Sequence, residues 1–155
     1  MKLDRARVVL VSCGGLAGAG TWDKTKRKGE LGMLGTQTLI AFVATTDSAR
    51  ARAFYERTLG LDLVSDDPFA LVFDANGTMI RVQKVEAFEP QPFTALGWTV
   101  TDINAVVAAL KQKDVSCERF PGMDQDARGI WASPSGARIA WFKDPDGNVL
   151  SLTEF

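Results

Sequence analysis

A turn leading into an alternating strand is written twice in this chain, and that repetition restricts its fold more than any other feature. Phe73-Asp74-Ala75-Asn76-Gly77-Thr78-Met79-Ile80-Arg81-Val82-Gln83 in the first half is matched by Asp144-Pro145-Asp146-Gly147-Asn148-Val149-Leu150-Ser151-Leu152-Thr153 in the second. Upstream of each turn an apolar run ends in an aspartate, Ile40 to Asp47 and Ala95 to Asp102. Such a run reads as a strand entering a helix through an N-cap. Two copies of a strand, helix, strand, strand, strand unit follow, which makes the fold class α+β with two βαβββ repeats.

The remaining elements fall between these markers. Thr38 to Thr45, rich in β-branched and apolar residues, reads as the first strand. Asp47 caps a helix whose apolar side is Ala51, Phe54, Tyr55 and Thr58, and Gly60 ends it. Leu61 to Ser65, Phe69 to Phe73 and Thr78 to Val85 are the next strands, with Asn76-Gly77 as a hairpin signal. Glu86 to Pro92 is the linker. In the second half Thr94 to Val100 is a strand, and Asp102 caps a helix carrying Ile103, Val106, Val107 and Leu110 on one side. Val115 to Phe120 is expected as the next strand, Gly129 to Ser133 and Ala137 to Lys143 as a hairpin, and Asn148 to Phe155 as the last strand. Asp47 and Asp102 lie 55 positions apart whereas Gly77 and Gly147 lie 70 apart, so the second copy carries 15 extra residues, assigned to Met123 to Gly136 or close by.

With 155 residues and 46% hydrophobic content, one domain with a substantial core is expected. Eighteen Lys and Arg balance 19 Asp and Glu. A net charge of -1 gives no reason to expect nucleic acid or an anionic membrane as partner, so the expected partner is a small molecule. Two cysteines, Cys13 and Cys117, do not make a disulfide scaffold, and a reduced cytoplasmic setting is expected. No stretch approaches the roughly 20 apolar residues that cross a bilayer.

Residues 1 to 34 read as an N-terminal extension outside the core fold, and 35 to 155 as a single domain with modules 36 to 85 and 93 to 155 joined by a linker at 86 to 92. The extension carries Val8 to Cys13, a glycine-rich stretch from Gly14 to Gly20 and a basic run. Leu10-Val11-Ser12-Cys13 resembles a lipoprotein cleavage box, but the apolar run before it is shorter than the roughly 7 to 15 residues of a signal peptide. The glycines lack the Gly-Lys-Ser/Thr finish of a phosphate-binding loop. Arg7 to Ser12 could alternatively add a short strand to a sheet edge or to another copy of the chain.

The duplicated units, with Phe54-Tyr55 and Leu59-Gly60-Leu61 in the first helix and Asp144-Pro145-Asp146-Gly147-Asn148 before the last strand, resemble the vicinal oxygen chelate superfamily of glyoxalases, bleomycin-resistance proteins and extradiol dioxygenases. The resemblance spans about residues 36 to 155. It implies that the modules form an open curved β-barrel, and that enzymes of the group hold a divalent metal on the first and last strand of each unit. Those seats fall here on Ile40, Ala95, Arg81 and Ser151. Two apolar groups, one hydroxyl and one permanent cation are a poor set for an ion that needs anionic or imidazole donors, and the chain has no histidine. No metal and no cofactor are therefore expected.

If those seats face inward, strand alternation turns Phe42, Gln83, Thr99 and Ser151 inward with Arg81. The resemblance adds Trp141, with Leu71 as its counterpart and Phe73 on Leu71's face. Phe42, Leu71, Phe73, Arg81, Gln83, Thr99, Trp141 and Ser151 are thus the candidate ligand-binding residues. They suit a planar or amphipathic organic molecule whose anionic group pairs with Arg81. The competing account has the aromatics filling the barrel and Arg81 tied to a structural carboxylate, Asp74 or Glu86 for example. Asp144, Asp146 and Asn148 are explained by turn formation. Trp131 and Phe120 are read as a lid, a subunit boundary or packing on the sheet, and Trp98 as packed under a helix. The resemblance implies a metal-free binding protein that sequesters or carries its ligand as a homodimer. The alternative is a lyase, isomerase or dioxygenase whose metal is held by non-standard ligands.

Overall fold

Asp47 and Asp102 cap the two helices as the sequence predicts, each accepting from the backbone N–H three residues on, Arg50 and Ala105, at 3.0 Å. The computed structural model describes residues 33–155, and the readings of Arg7 to Ser12, Cys13 and the glycine-rich stretch lie outside the described residues. In the first module β1 (Ile40–Thr45) leads to α1 (Ser48–Arg52), then to a π-helical segment (Ala53–Thr58) and to β2 (Asp62–Asp66), β3 (Ala70–Ala75) and β4 (Thr78–Lys84). The second contains β5 (Thr94–Thr99), α2 (Ile103–Gln112), β6 (Trp131–Ala132), β7 (Arg138–Lys143) and β8 (Val149–Glu154). The π-helical segment is closed by Leu59 N–H donating to Phe54 O at 2.9 Å, an i to i+5 bond. Phe54 and Tyr55 are both buried there.

The sheets have the same order, β1-β4-β3-β2 and β5-β8-β7-β6, with the outermost pair, β1 with β4 and β5 with β8, parallel. They do not close on one another, so the architecture is that of an open curved barrel. One apolar core joins both modules, with Val43, Tyr55 and Phe73 from the first meeting Val107, Phe142 and Leu150 from the second.

One expected strand is absent. Val115 to Phe120 is irregular, and Gly129 to Ser133 contracts to the two residues of β6. The outer edge of β7 is shared: β6 pairs Trp131 with Ile139, and farther along Glu118 N–H donates to Trp141 O at 2.7 Å. The extra residues of this module thus divide one strand's place between two segments. Gln125 pins the loop they form, its amide donating to Glu118 O and Gly129 O while its carbonyl accepts from Phe120 N–H.

Each of the two sister turns is held by an aspartate that accepts from turn N–H groups, and the two are used differently. Asp74 caps only its own turn, accepting from Gly77 N–H at 2.9 Å. Asp144 accepts from the N–H groups of Asp146 and Asn148, from the Asn148 amide, and from the Tyr55 hydroxyl of the other module at 2.7 Å. Asp146 accepts from both hydroxyls of Thr45 and Thr46 and from Thr46 N–H, and the Asn148 amide donates to Ala44 O. The second turn is therefore a clasp that grips the end of β1. Sequence reasoning explained these residues as a turn and missed the clasp, because its partners lie about a hundred positions away. Gly147 belongs to it by conformation and by space: its φ is +91°, and an added Cβ would lie 3.0 Å from Pro90 of the linker.

Candidate functional site

Pairing across the sheets decides which side chains share a face. On the face of the first sheet away from the helices, Phe42 stands beside Arg81 across β1 and β4, and Arg81 opposes Val72 across β3. Phe42 is 52% exposed. Gln83, the next residue of this face along β4, is exposed as well. The corresponding face of the second sheet carries Gly97, Ser151 and Trp141, which are successive cross-strand partners.

The two faces end differently. Trp141 is only 8% exposed, because Phe120 and Trp131 from the added segment lie against its ring at centroid distances of 5.5 and 6.2 Å. Its indole N–H donates to Thr94 Oγ at 3.1 Å. Trp131 and Phe120 therefore pack on the sheet, and the second face is plugged by its own chain. The first remains open. Beside it a cleft of about 290 Å³ lies between the modules, lined by Phe42, Gln83, Ala95 and Val149 and by Phe88 and Phe93 from the segment between β4 and β5.

Of the predicted site residues, the cleft brings together Phe42 and Gln83, with Arg81 adjacent to both on the same sheet face. Ser151 is buried on the second face, its hydroxyl over Gly97, and Thr99 lies at the far end of β5. Leu71 and Phe73 are corrections. Leu71 pairs with Val82 and Phe73 with Ile80, which puts both on the helix-packed side, where they are wholly buried and Phe73 lies 5.6 Å from the Tyr55 ring. Phe88 and Phe93 were missed, because a linker carries no periodicity from which a facing direction can be read.

Arg81 does face a carboxylate of its own module, Asp67 rather than Asp74 or Glu86. Its Nη2 lies 3.8 Å from Asp67 Oδ2, too long for a hydrogen bond. Asp67 is chiefly engaged elsewhere: the N–H groups of Phe69 and Ala70, at 2.7 and 2.8 Å, hold its carboxyl below the usual range, with Arg81 and Lys84 adding to the effect. Among the described residues no side-chain or backbone acceptor hydrogen-bonds the Arg81 guanidinium, so its N–H groups are free to meet an anion.

The family model described as Glyoxalase/Bleomycin resistance protein/Dioxygenase superfamily matches residues 37–152. The chain belongs to this superfamily. Solved glyoxalase-superfamily structures agree in fold: lactoylglutathione lyase from Agrobacterium tumefaciens at TM-score 0.60 and 17% identity, covering 77% of this chain and 93% of that one. A superfamily member from Sphaerobacter thermophilus DSM 20745 gives 0.57 at 25% identity, covering 76% and 96%. A glyoxalase/bleomycin resistance protein from Catenulispora Acidiphila DSM 44928 gives 0.54 at 21%, covering 76% and 97%. No curated protein matches this chain by sequence.

The positions that the resemblance implies as metal seats carry few donors. The neighbours of Arg81 and Ser151 are Phe42 and Gly97; Ile40 sits beside Met79, and Ala95 falls where the β5 pairing is irregular. With either pair of first-strand residues the set offers hydrocarbon, one hydroxyl and one guanidinium, which does not fit a divalent ion. Among the described residues no group of three or more His, Cys, Asp or Glu is placed to hold a metal. No helix among them is long and apolar enough to cross a membrane.

Proposed function

We propose that this glyoxalase-superfamily protein is a metal-free binder that sequesters or carries a planar or amphipathic organic anion. The observation that carries this reading is the exposed Phe42 ring beside the Arg81 guanidinium, which is ion-paired to Asp67 at 3.8 Å but not hydrogen-bonded, next to a cleft of about 290 Å³. An aromatic floor supplies stacking area and desolvation, and a guanidinium supplies a charge-assisted contact for a carboxylate or phosphate. Gln83 adds a neutral donor and acceptor. Glu89 at the cleft edge sets the polarity: the anionic group belongs at the Arg81 end and the uncharged body under Phe88 and Phe93.

The test uses naphthalene-2-carboxylate as probe, followed by calorimetry. Arg81→Ala is expected to weaken binding by about tenfold or more, since a hydrogen bond to a charged group contributes about 1.5–3 kcal/mol, and naphthalene-2-methanol should bind equally to both proteins. No saturable binding, or equal affinities for the carboxylate, would overturn the reading, as would near-stoichiometric zinc, iron, nickel or manganese in protein purified without chelator.

The partner in this reading is a second copy of the chain. Ile40, Phe42 and Met79 form an exposed apolar strip on the open face, and Phe93 extends it along the cleft. Covering that strip removes apolar area from water and encloses the ligand from the open side. Light scattering at micromolar concentration is expected to give twice the chain mass of 16.8 kDa, and a strictly monomeric mass would sink this part.

A further inference from the structure

A second cavity, about 370 Å³, lies on the opposite side of the sheets, where α2 faces the end of the π-helical segment. Its wall is mainly aliphatic, with Leu59, Leu61, Val106, Leu110 and Leu152, and Trp98 stands beside them. The volume is at the small end of the roughly 300–1,000 Å³ of small-molecule sites. Lys113, the C-cap residue of α2, also lines it. The Lys113 ammonium donates to Arg57 O at 2.9 Å and to Thr58 O at 2.7 Å, which uses two of its three N–H groups. Among the described residues no carboxyl group lies within ion-pairing distance of it.

An apolar chamber with one uncompensated cation at its rim is complementary to a hydrocarbon with one anionic end. We infer that this cavity is a second ligand site, separate from the Phe42 cleft, that takes a medium-chain fatty carboxylate with its chain against Leu59, Val106 and Trp98 and its carboxylate on Lys113. The branched aliphatic side chains of this wall, with the rings of Trp98 and Phe142, give a flexible chain many contacts. The site joins the two modules, because Leu59 and Leu61 come from one and α2 from the other. Occupancy should therefore raise the melting temperature of the whole domain.

Decanoate is the probe. Saturable binding should shift Trp98 emission, and Trp98→Phe should remove the shift. Lys113→Met should weaken decanoate about tenfold while leaving decanol affinity as in wild type, whereas Lys113→Arg should retain most of the carboxylate affinity. Ala109→Trp, on an exposed position of α2 that lines the cavity, should abolish binding there by filling the space, and Phe42→Ala should leave the decanoate-induced shift of Trp98 emission unchanged. The inference is overturned if decanoate does not bind, if Lys113→Met binds it like wild type, or if Phe42→Ala abolishes the shift of Trp98 emission. Should Lys113→Met fail to fold, Ala109→Trp decides: undiminished decanoate binding in that variant overturns the site.

Discussion

Asp144→Ala is expected to destabilise the domain by about 3–4 kcal/mol, because it strands several buried donors at once. The Tyr55 hydroxyl, the Asn148 amide and the N–H groups of Asp146 and Asn148 would lose their acceptor, and Asp144 itself is 5% exposed. Urea unfolding measures the loss, and a change below about 1 kcal/mol would show that the clasp contributes little. Its other half has a spectroscopic signature. Burial first, and then the adjacent Asp144, push the phenol of Tyr55 far above its ordinary value. An unfolded tyrosine ionises near pH ~10 while the folded one does not, so this contribution is fully present below that pH and is lost as pH rises above it. Tyr55 is the sole tyrosine of the chain. Phenolate absorbance should thus appear together with the loss of circular dichroism, and ionisation of the still-folded protein at ordinary alkaline pH would contradict the buried bond.

Phe73→Ala is expected to cost about 3–5 kcal/mol, the range for emptying a packed aromatic site, and to leave naphthalene-2-carboxylate affinity unaltered in the folded fraction. Phe73 has no exposure and sits in the core beside Tyr55. Phe42→Ala should do the reverse, with less than about 1 kcal/mol of stability lost and probe binding weakened, since half of that ring already faces water. Thermal melts paired with calorimetry separate the two. Equal stability losses would mean that Phe42 is as much a core residue as Phe73.

That contrast also marks where the sequence stops being legible. The caps at Asp47 and Asp102 and the buried side of the first helix are local or periodic signals, and with the repeated turns they lead to the right fold. Facing within β3 is not such a signal. Leu71 was placed by counting back three residues from Asp74, as Trp141 stands three before Asp144. The turns differ, however: two residues separate Ala75 from Thr78, and five separate Lys143 from Val149. By register the counterpart of Trp141, which opposes Ser151, is Val72, which opposes Arg81. A one-residue slip exchanges the faces of a strand, and it carried Leu71 and Phe73 from core to site. The shared face of Phe42, Gln83 and Arg81 was legible, because they sit on strands with clear alternation. The strand expected at Val115 to Phe120 failed for another reason, since alternation in that segment cannot reveal that β6 and Glu118 divide the edge of β7.

The unequal use of the sister turns sets how freely each can drift. At Asp74 a substitution disturbs one loop's own closure, so asparagine or serine there can take over the single bond to Gly77. At Asp144 the same exchange must satisfy four donors drawn from both halves of the molecule. Of the two hairpin ends, only the first can be altered without prying the halves apart.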